Sequence, residues 1–164
     1  MKQLLRTLLI ACTLSTPALA EDYFNVYSGA WDVFKDSEDG MHNNMAGVLG
    51  AEYRGEYLWR QLRPNLGALV TSEGAQYYYG GFGYDAFLAD QIVLTPNVAV
   101  GYYRHGDGKN LGSDLEFKSG VELAYQWQDT RRLGIAIHHI SNASIGNENP
   151  GTEIISLQYA YPLR

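Results

Sequence analysis

Cysteine is almost missing from this chain: there is one, Cys12, in 164 residues. Proline is sparse at five, and no apolar run beyond residue 20 approaches the ~18–20 residues that a membrane-spanning helix needs. Cations are in deficit, 12 Lys and Arg against 18 Asp and Glu, for a formal net charge of −6. These shortages exclude a helical membrane protein and a disulfide scaffold, and they argue against non-specific nucleic-acid binding. A hydrophobic share of 46% excludes a disordered chain. Segments with helical amphipathicity are missing too. What is abundant is Tyr, 13 residues, and Gly, 18. The mean hydropathy of −0.24 resembles that of a soluble domain. A transmembrane β-barrel gives the same average, because its apolar residues are hidden in alternation.

The first 20 residues read as an export signal. Lys2 and Arg6 form a positive start, residues 7–15 an apolar stretch, and Pro17-Ala18-Leu19-Ala20 a small-residue cleavage site. A competing reading takes Leu9-Ile10-Ala11-Cys12 as a lipoprotein box with Cys12 as the lipidated residue. Cleavage near Ala20 removes the sole thiol and leaves 21–164 as one domain. Export without cysteine suits the periplasm or outer membrane of a Gram-negative bacterium.

The remaining chain alternates with period two, the mark of strands. In 115–127, Leu115, Phe117, Ser119, Val121, Leu123, Tyr125 and Trp127 share one face; Glu116, Lys118, Gly120, Glu122, Ala124 and Gln126 share the other. A narrow barrel places charged and small residues inside and apolar ones against lipid. The same pattern recurs in 91–104, where Pro96 removes one ladder donor and predicts a local weakness or bulge. Six further segments, 23–34, 45–54, 62–71, 76–87, 133–142 and 152–161, complete a predicted all-β, eight-stranded antiparallel up-and-down transmembrane barrel. Of the connections after the odd strands, 35–44, 72–74, 105–114 and 143–151, three are long and polar; those after the even strands, 55–61, 89–90 and 128–131, are mostly shorter. Long loops are expected outside the cell and short turns in the periplasm. Tyr57, Trp59, Tyr125 and Trp127 are then expected as an aromatic girdle near the periplasmic interface. Glu52, Arg54, Glu116, Lys118 and Glu122 read as an interior polar network, and the Tyr77-Tyr78-Tyr79 run as barrel packing.

One strand breaks its own rule. Its outward row runs Leu133, Ile135, Ile137, His139, Ser141, and a lipid-facing row has no reason to end in His and Ser unless they have partners. Glu153 shares the outward face of the final strand, and a hairpin through 143–151 brings the two strand ends together. Positions i and i+2 of a strand share a face about 6.5–7 Å apart. His139, Ser141 and Glu153 therefore form a potential Ser–His–acid set, in which His takes the serine proton and a carboxylate orients the His. Asn142 is a candidate amide donor to an oxyanion, with the backbone N–H of Ala143 as a second. Rival assignments are Ser144 as nucleophile and Glu148 as acid. His138 has inward parity and reads as a hydrogen-bonded structural residue. His42 and His105 fall in loops, where His105-Gly106-Asp107-Gly108 is a weak metal signal.

The segment His139-Ile140-Ser141-Asn142-Ala143-Ser144, with Glu153 downstream and the ending Tyr159-Ala160-Tyr161-Pro162-Leu163, resembles the lipid A 3-O-deacylases of the PagL type, a group also classed with acyloxyacyl hydrolase domains. The specific match covers roughly the last 30 residues. The resemblance implies an outer-membrane serine esterase that hydrolyses the acyl chain at the 3-position of lipid A in lipopolysaccharide. It implies His139 as base, Ser141 as nucleophile, Glu153 as orienting acid and Asn142 at the oxyanion position. It implies no cofactor and no metal, and it allows a homodimer. The alternatives are a non-catalytic small barrel acting in adhesion or envelope stability, and another lipid-modifying barrel such as a phospholipase or acyltransferase.

Overall fold

The computed structural model describes residues 21–34 and 45–163; the expected export signal, Cys12 and His42 lie outside them. Among the described residues every regular element is a strand: β1 (Asp22–Trp31), β2 (Ala46–Arg54), β3 (Leu62–Thr71), β4 (Gln76–Tyr84), β5 (Ala86–Ala89), β6 (Ile92–Arg104), β7 (Leu115–Gln126), β8 (Arg132–Ser141) and β9 (Thr152–Leu163). All pairings are antiparallel, and sequence neighbours pair throughout except β4 and β5. β1 pairs with β9, and β4 pairs with β6, so the sheet closes on itself.

β4 and β5 are two halves of one stave, so the barrel has eight. Both pair with β6, and the register is conserved across the break, from Gly83↔Asn97 to Ala86↔Leu94. The skipped positions lie opposite Thr95 and Pro96, where the missing proline N–H thins the ladder. On the β7 side, pairing runs unbroken through Pro96↔Val121. The expected weakness at Pro96 is thus an interruption of the neighbouring stave at Asp85.

Parity sorts the two faces as the sequence alternation predicts. Leu115, Phe117, Leu123 and Tyr125 of β7 point out, as do Leu133, Ile135 and Ile137 of β8 and Ile155, Leu157 and Tyr161 of β9. Glu116, Lys118, Glu122 and Ala124 are buried. In the Tyr run, Tyr77 and Tyr79 are inside and stacked, while Tyr78 faces out. The outward belt is what a lipid core requires.

The lumen is filled by a charged network. Arg54 bridges Glu52 and Glu122, each at 2.6 Å, and Lys118 Nζ lies 3.4 Å from Glu52. The Tyr79 hydroxyl donates to Glu52 and shares a hydrogen bond with Tyr27. Glu116 does not join: both of its carboxylate oxygens are buried without a hydrogen-bond partner among the described residues. It lies nearer the loop end, among Tyr77 and Tyr103, above the reach of Arg54. His138 points inward as expected, but it makes no hydrogen bond among the described residues and instead packs over Gly120.

A second cluster closes the end that carries the short turns. Buried Asp85 accepts from the Tyr57 hydroxyl at 2.8 Å, Thr95 Oγ1 at 2.9 Å and Arg132 Nη1 at 2.8 Å, and Arg63 Nε lies 3.2 Å away. The two guanidiniums stack on Tyr23, and Arg63 also lies over Tyr57. Tyr57 therefore belongs to this plug and not to the expected girdle, because its hydroxyl finds an acceptor inside. Trp59, Tyr125 and Trp127 do face outward.

Candidate active site

The polar end of β8 lies at the loop end of the outer wall. Alternation along Arg132–Ser141 sends His139 outward, and its side chain is 48% exposed. Register sets it directly across from Glu153 on β9 and from Ser119 on β7. The cross-strand pair is in contact: His139 Nδ1 lies 3.0 Å from Glu153 Oε1, and Glu153 remains 26% exposed. A carboxylate at Nδ1 fixes the tautomer, leaves Nε2 as the basic nitrogen and stabilises an imidazolium when one forms. Glu148, the rival acid, makes no contact with His139 among the described residues; its backbone carbonyl is what the site uses.

Ser141 ends β8 on the same face, half-buried and paired with Phe117. No hydrogen bond joins its hydroxyl to His139 among the described residues. Ser144, the rival nucleophile, lies past the strand end, with its N–H donated to Asn142 Oδ1 at 2.9 Å.

Beyond Ser141 the chain makes a strained turn. Ala143 and Ser144 have φ of 53° and 63°, a left-handed conformation that costs side-chain-bearing residues about 1–2 kcal/mol each. Such strain persists where surrounding contacts over-determine it, and here Asn142 supplies them. Its side chain is fully buried, and its Nδ2 donates to the carbonyls of Leu111 and Glu148, both at 2.8 Å. Its own N–H donates to Asn149 Oδ1 at 3.0 Å. Asn142 thus ties the 105–114 loop to the 143–151 loop. Both amide hydrogens are engaged, so the side chain stands turned away from the outer wall. The Ala143 N–H has no partner among the described residues.

Asn142→Ala is expected to strand the buried Leu111 carbonyl and release the part-buried Glu148 carbonyl, at about 1–3 kcal/mol, and to speed limited proteolysis in 105–114 and 143–151 while the strands stay protected. Unchanged cleavage rates in both loops would refute this clamp. Asn149 and Leu111 escaped the sequence reading, because a loop residue that offers a backbone or amide oxygen has no pattern.

A family model for lipid A 3-O-deacylase (PagL) matches residues 20–162. The chain belongs to the PagL family. One relative, the lipid A deacylase PagL of Bordetella bronchiseptica, is 36% identical over 53 residues, which is 32% of this chain and 30% of that protein. The matched segment therefore spans under a third of that relative's length. Among solved structures, the outer membrane enzyme PagL superposes with a TM-score of 0.67 at 20% identity, over 86% of this chain and 99% of that one. A de novo designed transmembrane β-barrel gives 0.63 at 9% identity, over 91% and 100%. The Yersinia pestis outer membrane protein Ail gives 0.50 at 14%, over 86% and 100%. The unrelated sequences among these matches mark the barrel as a shared solution to spanning a membrane. The PagL family and the closed barrel place the chain in the Gram-negative outer membrane.

Proposed function

We propose that this PagL-family chain hydrolyses the ester-linked acyl chain at the 3-position of lipid A, with Ser141 as nucleophile, His139 as base and Glu153 as the acid that orients it. The observation that carries this reading is the 3.0 Å contact between His139 Nδ1 and Glu153 Oε1 on the lipid-facing wall. No packing role explains a His and a Glu held in contact on a wall whose rows below them are apolar.

Ser141 Oγ attacks the acyl carbonyl while His139 Nε2 takes its proton. The tetrahedral oxyanion collapses, the bond to the sugar oxygen breaks, and that oxygen takes the proton from His139. Water, deprotonated by the same nitrogen, then cleaves the acyl–Ser141 ester and releases the fatty acid. Substrate at the site excludes water and shortens the Ser141–His139 approach, since catalytic hydrogen bonds often tighten only in the loaded complex. In this scheme the Ala143 N–H is the open donor for the oxyanion, and Asn142 serves by fixing the turn that presents it.

Depth supports the substrate. The ester carbonyls of lipid A lie just below its headgroup in the outer leaflet, level with a site near the loop end of the wall. Below His139 and Glu153, the pairs Ile137↔Ile155 and Ile135↔Leu157 form an outward apolar track for the acyl chain.

The test is mass spectrometry of lipid A from cells expressing the chain or its Ser141→Ala variant, each checked for folded-barrel migration on unheated gels. Loss of one 3-hydroxyacyl chain with the wild type alone supports the reading. Unchanged lipid A with folded wild type would overturn it, and acyl loss from phospholipid instead would assign another lipase. In the same assay Glu153→Ala should lower turnover about 10²–10⁴-fold and Glu148→Ala should not; the reverse result would reassign the acid.

A further inference from the structure

The His139 ring has a second neighbour besides Glu153. Gly151 precedes β9 with φ of +57°, and a Cβ built on it would lie 2.9 Å from His139 Cε1 and 3.4 Å from Nε2. Atoms at such a distance must move apart. The pairing Ile140↔Thr152, extended by one step, sets Gly151 across from Ser141. The edge of the ring that would take the serine proton therefore rests against a bare Cα, directly opposite the nucleophile.

We propose that Gly151 is a positioning residue for the reaction: its missing side chain is the seat that lets the His139 ring lean from Glu153 toward Ser141. The inference rests on His139 being the base. Two contacts then fix the ring, the carboxylate at Nδ1 and the Gly151 backbone beside Cε1 and Nε2. A methyl group at 151 pushes the ring off this seat and lengthens the approach of Nε2 to Ser141 Oγ. A displacement of this size at a reacting group lowers rate by about 10²-fold.

Backbone strain has to be separated from ring displacement. Gly74 provides the reference: its φ is +80° and nothing lies within 4 Å of its built Cβ, so Gly74→Ala adds left-handed strain alone. Gly151→Asn provides the second variant, because Asn tolerates a left-handed backbone yet still carries a Cβ. The assay is release of fatty acid from purified lipid A in detergent by the full-length folded barrel, with kcat and KM resolved. Gly151→Ala and Gly151→Asn are expected to lower kcat about 10²-fold with KM little changed, and Gly74→Ala to match wild type. Gly151→Ala combined with Glu153→Ala is expected to be little worse than Glu153→Ala alone, since both release the same ring. Wild-type kcat in Gly151→Asn, an equal loss in Gly74→Ala, or multiplicative losses in the double variant would overturn the inference. Activity surviving in Ser141→Ala would instead bring down the proposed reaction itself.

Discussion

His139→Ala and Ser141→Ala should each reduce fatty-acid release by about 10⁴-fold or more, and the double variant should be no slower than either. The reason is that in the proposed mechanism the two residues act in one event. Without the imidazole, the Ser141 hydroxyl keeps its proton and is a poor nucleophile; without the hydroxyl, His139 has nothing to activate. Single-turnover measurement on purified lipid A in detergent reads all three variants on one scale. Barrel folding should be untouched, since both side chains point off the outer wall and His139 is half exposed. Multiplicative losses would mean that the residues act independently, and the Ser–His coupling would have to be abandoned.

At the opposite end, Asp85→Ala should destabilise the barrel by about 3–5 kcal/mol, because it leaves Arg63 and Arg132 buried and uncompensated. The replacement also removes the acceptor for the Tyr57 and Thr95 hydroxyls. A triple variant, Asp85→Leu with Arg63→Met and Arg132→Met, should recover most of the loss, since apolar groups of similar volume need no partner. Urea unfolding in lipid vesicles, followed by tryptophan fluorescence, measures both. Catalysis should hardly change in the folded fraction: Arg132 and His139 lie on the same strand about 23 Å apart at ~3.3 Å per residue. An Asp85→Ala barrel as stable as wild type would show that the arginines find water or lipid headgroups instead.

Much of this molecule was legible in advance. Period-two alternation gave the staves and their faces, because each position in a barrel wall meets either lipid or lumen. The same rule singled out the proposed site, since His139 and Ser141 are polar where the row should be apolar. Parity also bore on Asn142, which falls on the inward face with His138 and Ile140. The resemblance implies Asn142 at the oxyanion position, and in the structure its side chain holds two loops together. Other features were hidden for definite reasons. Tyr57 lies in a connection, where alternation carries no information, and its inward turn depends on Asp85. The isolation of Glu116 depends on how far Arg54 and Lys118 reach across the lumen, a distance no linear pattern encodes. Gly151 reads as an ordinary loop glycine until the ring of His139 is found resting on it.

The filled lumen has a consequence for traffic. Arg54 with Glu52 and Glu122 occupies the middle, and Asp85 with its arginines closes the end that carries the short turns. Substrate and products of a reaction on the outer wall therefore come and go sideways, within the leaflet. Encounter is governed by lipid molecules per unit area and by lateral diffusion, not by concentration in the surrounding fluid. In the proposed reaction the released fatty acid and the shortened lipid both begin life beside the barrel, so each turnover would alter the very film that delivers the next substrate.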